Sequence, residues 1–220
     1  QLIAKKRQIK QGAMHELLTG KKRVPGFKDD WEAKQLADFG SFLKGAGVTK
    51  SQASSGSLPC VRYGEIYTRH SNFIKEFYSW ISREVAQTAT RLRFADILFA
   101  GSGETKEEIG KCVAFLHDAE AYAGGDIIIL RLGEKADPLF FGYYLNTAFI
   151  AQQKANKGQG DAVVHISASS LATVTSEFPK VLEQEAIGAI LFEMDSEIGS
   201  LATKLTKARE IKQGMMQELL

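Results

Sequence analysis

The chain has 220 residues, 44% of them apolar and 25% charged, with 13 phenylalanines and a net charge of +2, enough apolar material to bury one real core plus an appendage. Cys60 and Cys112 stand far apart and in no metal-ligand spacing, which excludes a disulfide framework and points to a reducing cytoplasm. No apolar run, Ile127 to Leu130 included, approaches the roughly 20 residues of a membrane-spanning helix, so no membrane association is expected.

Residue 1 is Gln and a helical pattern is already under way there, so the numbering is expected to start inside a longer chain or after a removed segment. From Ile3 to Lys28 the chain carries Lys5, Lys6, Arg7, Lys10, Lys21, Lys22, Arg23 and Lys28 against the single acid Glu16. Within this basic end, "IKQGAMHELL" (Ile9 to Leu18) is a helical phrase that returns as "IKQGMMQELL" (Ile211 to Leu220). The Gly-Ser-Thr-rich stretches Lys44 to Gly56 and Lys157 to Gly160 are expected to be loops, and loops on a rigid scaffold commonly carry recognition. Between Phe42 and Lys75 the bases Lys44, Lys50, Arg62, Arg69 and Lys75 face only Glu65 and alternate with Tyr63, Tyr67, Thr49, Ser51 and Thr68; Arg91 and Arg93 follow around Leu92. That mixture suits phosphate positioning and base-edge readout, and equally an ordinary solvated surface.

Short apolar runs bounded by turn residues predict strands at Ala95 to Ala100, Asp126 to Leu132 and Ala162 to Ile166, with a short helical turn over Thr105 to Gly110. Asp137 to Lys154 reads as one helix, Pro138 sitting in its first turn. After Pro179 the apolar residues Ile187, Leu191, Met194, Ile198, Leu201, Leu205 and Ala208 recur at alternating steps of four and three, the seam of a coiled coil; the stripe then drifts to Ile211, Met215 and Leu219. The competing reading is an amphipathic helix packed on its own domain, but a length of roughly 50 Å exceeds what a small domain needs. Glu183, Glu185, Glu193, Asp195 and Glu197 occupy its first half and Lys204, Lys207, Arg209 and Lys212 its second. Two such helices pair best antiparallel, as a two-fold dimer whose interface is Ile187, Leu191, Met194, Ile198, Leu201 and Leu205, and the N-terminal copy with its lysines fits the same seam. The fold class expected is an α+β (mixed α/β) body between a short N-terminal helix and a long C-terminal coiled-coil helix.

Motifs for catalysis are sparse. "FAGSGET" (Phe99 to Thr105) follows a strand and matches the F-x-G-x-G loop by which adenine methyltransferases cradle S-adenosylmethionine, but the Asp/Asn-Pro-Pro-aromatic loop of that chemistry is approached only by "DPLF" (Asp137 to Phe140). No phosphate loop of the G-x-x-x-x-G-K-S/T kind is present. His15 has Gln217 at its place in the second copy of the phrase, His70 and His117 lack a partner at metal spacing, and His165 in an apolar strand reads as a packed, satisfied histidine. No catalytic residue, metal site or cofactor is therefore expected, and the chain reads as a binder.

The phrase "KxRxIKQGxMxELL", at Lys5 to Leu18 and again at Lys207 to Leu220, together with "VRYGEIYT" (Val61 to Thr68), "DILFAGSGETKEEIGK" (Asp96 to Lys111) and "FPKVLEQEAI" (Phe178 to Ile187), resembles the specificity subunits of type I restriction-modification systems over essentially the whole chain. Those subunits carry two target recognition domains, each followed by a conserved long helix. This chain holds one, so a half subunit and a fragment are both open. The resemblance implies an N-terminal helix end (residues 1–20), a target recognition domain (21–182) and a helical spacer (183–220). It also implies that the chain reads one half-site of double-stranded DNA, while a separate methyltransferase (modification) subunit methylates adenine and a restriction subunit translocates and cuts. The candidate DNA contacts are Lys44, Lys50, Arg62, Arg69, Arg91, Arg93 and Gln159; the alternative is a stand-alone adenine methyltransferase using the FAGSG loop.

Overall fold

The computed structural model describes residues 1–160 and 162–218; Leu219, the last residue of the apolar stripe, and Leu220, the end of the repeated phrase, lie outside the described residues. In chain order the elements begin with α1 (Leu2–Leu17), β1 (Glu32–Gln35), a 3-10 turn (Leu36–Phe39), β2 (Gly40–Lys44), β3 (Leu58–Val61), α2 (Tyr63–Thr68), β4 (Ser79–Ile81), α3 (Arg83–Ala86) and β5 (Thr90–Arg91). There follow β6 (Asp96–Ala100), β7 (Ser102–Gly103), β8 (Cys112–Ala114), β9 (Tyr122–Ala123), β10 (Ile127–Leu132), α4 (Pro138–Tyr144) and α5 (Ala148–Lys157). The last are β11 (Val164–His165), α6 (Ala168–Ala172), β12 (Thr175–Phe178) and α7 (Val181–Glu218). The chain divides into two units: Gln1–Lys28 with Ala186–Leu220, and Asp29–Glu185.

The first unit is a helix pair. α1 is built from strong helix formers and stops where Gly20 takes a left-handed φ of 68°. Lys6 Nζ lies 2.7 Å from Glu197 and Lys10 Nζ 2.6 Å from Asp195, so residue numbers run in opposite directions along the two helices. α7 has 38 residues, about 57 Å at the usual rise per residue.

The second unit is a mixed α+β domain around a four-stranded antiparallel sheet in the order β2-β10-β6-β8. Its two central strands are continuous apolar runs because both faces are covered. Leu98, Ala100, Ile127 and Ile129 enter a core with Val61, Ile66, Ile74, Val113 and Phe115, while Ile97, Phe99, Ile128 and Leu130 alternate to the other face. A second sheet, β4-β3-β9-β5, contains one parallel pair, β3 with β9. β1 pairs with β12 and β7 with β11 in two short ribbons. α4 brings Phe140, Phe141 and Tyr144 against Phe39 and Phe178 in a tight aromatic cluster.

Two expectations are adjusted. The helix foreseen from Asp137 to Lys154 is two helices, because the chain leaves α4 at Leu145 and Thr147 starts α5 in an extended conformation. There the Asn146 side chain bridges the backbone of Cys112, at 3.0 and 2.8 Å, and the Gly142 carbonyl of α4 at 2.9 Å. The strand foreseen from Ala162 to Ile166 shortens to Val164–His165.

Candidate functional site

β2 and β6 end, and β10 begins, beside the segment running from α5 to α6, and the space between them is an open cleft of about 390 Å³ lined by Lys44, Gly101, Asp126, Ile128, Lys157, Gln159, His165, Ser167 and Ser170. Two of the candidate DNA contacts, Lys44 and Gln159, meet here from distant parts of the sequence. Gln159 is bridged to the strand: its backbone N–H donates to the His165 carbonyl at 2.9 Å, and the His165 N–H returns a bond to the Gln159 carbonyl at 2.8 Å. Directly opposed residues of such a pair project side chains to one face, and both are exposed. His165 is therefore at the cleft surface and not packed in a core, correcting the expectation. Its Nδ1 lies 2.9 Å from Ser102 Oγ, and the Tyr67 hydroxyl donates to the Ser102 carbonyl at 3.1 Å.

Lys44 belongs to a wider basic rim. Its carbonyl accepts from Thr90 Oγ1 at 2.9 Å, which sets β5 and Arg91 beside it. The loop after it holds Val48 at φ 55°, a costly conformation for a β-branched residue, kept because the side chain is buried. Beyond Val48 the turn closes through Thr49 N–H to Gln52 Oε1 at 2.9 Å, leaving Lys50 exposed at its tip. Arg91 and Arg93 are exposed around buried Leu92 and line a second hollow with Phe94, His117 and Asp118. Their loop is anchored by fully buried Asp96, which accepts from the Arg93 N–H at 2.8 Å and from Arg131 Nε at 3.0 Å and Nη2 at 2.9 Å; Arg131 also donates to the Arg91 carbonyl at 3.2 Å.

Arg62 and Arg69 bracket α2. Arg62 is its N-cap, with the backbone N–H donating to Glu65 Oε2 at 3.1 Å, and the Arg69 guanidinium lies 5.1 Å over the Tyr78 ring. His70, next in the chain, is buried, and burial and the neighbouring Lys111 ammonium pull its imidazole down to about 4.

The glycines of "FAGSG" are explained by the chain's own packing. A Cβ at Gly101 would lie 2.9 Å from the Asp126 carbonyl oxygen, to which the Gly101 N–H donates at 2.7 Å, and one at Gly103 would lie 2.8 Å from the Tyr67 hydroxyl. Asp137, the acid of "DPLF", caps α4 by accepting from the Phe140 N–H at 2.7 Å. Lys154 is buried, where desolvation lowers its pKa, and its ammonium donates to the carbonyls of Gly110 at 2.6 Å and Leu145 at 2.9 Å. Among the described residues no three His, Cys, Asp or Glu side chains are placed to hold a metal ion, and no helix is long and apolar enough to cross a membrane.

Of the seam residues, Ile187 and Leu191 are already buried in the single chain, Met194, Ile198 and Leu201 are half-buried, and Leu205 is 41% exposed. The sequence reading missed Lys157, His165, Ser167 and Ser170 as cleft residues. For His165 the signal was alternation, Val164 and Ile166 inward and His165 outward, and for Lys157 its place at the start of the Gly-rich stretch to Gly160.

The fold is shared with solved structures, among them the following. The S subunit of a type I restriction-modification system from M. genitalium aligns with a TM-score of 0.65 at 14% identity over 96% of this chain and 52% of that one. The HsdS subunit from Thermoanaerobacter tengcongensis aligns with 0.58 at 17% identity over 92% and 47%, and a chain from a type I R-M system studied for complex assembly and conformational transition with 0.59 at 16% over 96% and 52%. The chain thus spans about half the length of these structures. No curated protein sequence matches it. The family model for the type I restriction modification DNA specificity domain matches residues 28–210. With most of its length matched and the same fold in solved specificity subunits, the chain belongs to the type I restriction modification DNA specificity domain family.

Proposed function

We propose that this chain reads one half-site of an interrupted DNA target and scaffolds the methyltransferase (modification) and restriction subunits of a type I restriction-modification system, with no catalysis of its own. Residues 21–182 serve as the target recognition domain, 183–220 as the spacer helix and 1–20 as an N-terminal conserved helix end. The observation that carries the reading is the meeting of Lys44, Lys157, Gln159 and His165 round one open cleft, with Lys50, Arg91 and Arg93 on neighbouring loops. Ammonium groups on flexible stems suit phosphates, whereas amide and imidazole edges suit bases. Arg62 and Arg69, at the two ends of α2, are further candidate contacts, although the guanidinium of Arg69 is partly occupied by Tyr78.

The test is fluorescence anisotropy with duplex DNA over a salt series. Removing the charge of Lys44 or Lys50 should weaken all sequences alike and flatten the salt slope by about one unit each. Binding and slope unchanged after replacing Lys44, Lys50, Arg62, Arg69, Arg91 and Arg93 together would put the DNA surface elsewhere.

The same reading includes a homodimer through antiparallel helices. In the first copy of the repeated phrase Ile3, Lys6, Lys10 and Met14 are half-buried, whereas their equivalents Leu205, Ala208, Lys212 and Met216 are exposed. In the single chain α1 pairs with the acidic half of α7 through Glu197 and Asp195; the second half of α7, bearing the same phrase, reaches the acidic half of a second copy by exchanging with that copy's α1. Light scattering should give a dimer for the wild type and a folded monomer for Leu205→Lys with Met216→Lys. A wild-type monomer at tens of micromolar would count against the pairing.

A further inference from the structure

Resting on the DNA-reading function above, the geometry points to the Gln159–His165 pair as the base-reading element of the domain, with Ser102 as the residue that positions the histidine. A base reader must offer donors and acceptors on a surface that DNA can reach, and must hold them still, because every rotamer frozen on binding subtracts from discrimination. His165 meets both demands, and Gln159 meets the first with its backbone held. Their side chains are exposed at one cleft, and their backbones are locked to each other by two hydrogen bonds of 2.9 and 2.8 Å. The turn leaving Gln159 is fixed by Gly160, whose φ of 109° and close approach to the Val163 carbonyl, 2.2 Å from any added Cβ, exclude other residues.

The imidazole is fixed a second time, through Nδ1. Ser102 is buried beneath it with Oγ 2.9 Å from Nδ1, and β7, which carries Ser102, is the strand paired with β11. The Tyr67 hydroxyl holds the Ser102 carbonyl from α2. With Nδ1 engaged, Nε2 is the edge left for a ligand, and the serine hydroxyl determines whether it donates or accepts. A donating Nε2 meets guanine N7 or O6, and an amide such as that of Gln159 is the bidentate partner of adenine. Lys44 on the facing strand end and Lys157 at the end of α5 supply the positive charge along which a phosphate backbone would run, with Lys157 steadied by Thr173 Oγ1 at 2.8 Å. Asp126 also lines the cleft and disfavours a phosphate at that spot, which leaves the floor to a base edge.

The experiment is selection of the full chain, at low salt, on a library of duplexes with randomised half-sites, comparing wild type with His165→Ala, His165→Asn, Gln159→Ala, Ser102→Ala and Lys44→Ala. His165→Ala and Gln159→Ala should each relax the preference at one or two adjacent positions, keep it at the others, and weaken the selected sequence by about 5- to 100-fold. Ser102→Ala should relax the same position as His165→Ala, and the double variant should lose no more than His165→Ala alone; Lys44→Ala should weaken every sequence without altering the preference. A wild-type preference that survives unchanged in His165→Ala, His165→Asn and Gln159→Ala overturns the assignment and leaves the DNA function standing. A wild type that enriches no sequence overturns the DNA function itself and this assignment with it.

Discussion

Acid should loosen this domain at one identifiable place. His70 is buried at the end of α2, its N–H donating to the Glu65 carbonyl at 3.2 Å, its ring 5.7 Å from Tyr78, and its carbonyl accepting from Lys111 Nζ at 3.0 Å. Burial, Lys111 and, more weakly, His117 disfavour the imidazolium, Glu76 favours it, and the balance brings the pKa from 6.5 to about 4. The unfolded chain therefore binds a proton on this histidine at a pH where the folded chain does not, and stability falls as pH drops from about 6.5 to about 4 and no further below that on this account. At about 1.4 kcal/mol per pH unit the whole effect is about 3 kcal/mol, a large share of the stability of a domain this size. Carboxylates titrate in the same range, so the readout is a difference. Urea unfolding of wild type and His70→Asn at pH 7.5 and 4.5 should show the wild type losing about 2–3 kcal/mol more than the variant over that interval. Parallel losses in the two proteins would refute the reasoning.

Removing Asp96 by Asp96→Ala leaves the partly buried Arg131 without its carboxylate and frees the Arg93 N–H; urea unfolding should register a cost of about 3–5 kcal/mol, and the Arg91–Arg93 loop should gain hydrogen-exchange rate. Gly101→Ala must push the Asp126 carbonyl aside and should cost about 1–3 kcal/mol in the same assay. Calorimetry of the wild type with S-adenosylmethionine should be blank; saturable heat that Gly101→Ala abolishes would restore a methyltransferase reading. A dimer of identical chains presents one recognition domain twice, so selected or methylation-protected sites should be interrupted palindromes with a gap intolerant of a single added base pair, which turns the second half-site by about 36°. Recovery of unequal halves would exclude the symmetric pair.

The elements that could be read from the sequence were those whose pattern is local. β6 and β10 announced themselves as continuous apolar runs because covered strands need apolar residues on both faces, and α7 did so through its four-three spacing. The break between α4 and α5 was hidden because the group that marks it is distant: Asn146, at the junction, ties the end of α4 to Cys112, far back in the chain. The same distinction explains why the glycines of "FAGSG" resembled a nucleoside loop. The motif specifies close approach, and only the fold reveals that the approaching atoms are the Asp126 carbonyl and the Tyr67 hydroxyl.

For His165 the signal is local and lies in the period of the strand. A histidine among valine and isoleucine suggests a packed ring if the run is treated as uniformly apolar. Treated as a strand of period two, Val164 and Ile166 take the inner face and His165 must take the outer one, as it does. What the period could not supply is the partner that makes an outward histidine useful. Ser102 reaches Nδ1 only because β7 pairs with β11, and Gln159 stands opposite only because Gly160 closes the turn. Composition places a polar ring on the surface, whereas two backbone pairings and one buried hydroxyl turn it into an oriented one. A readout that depends on orientation should therefore be lost by changing Ser102, which ligand never touches, as surely as by changing His165 itself.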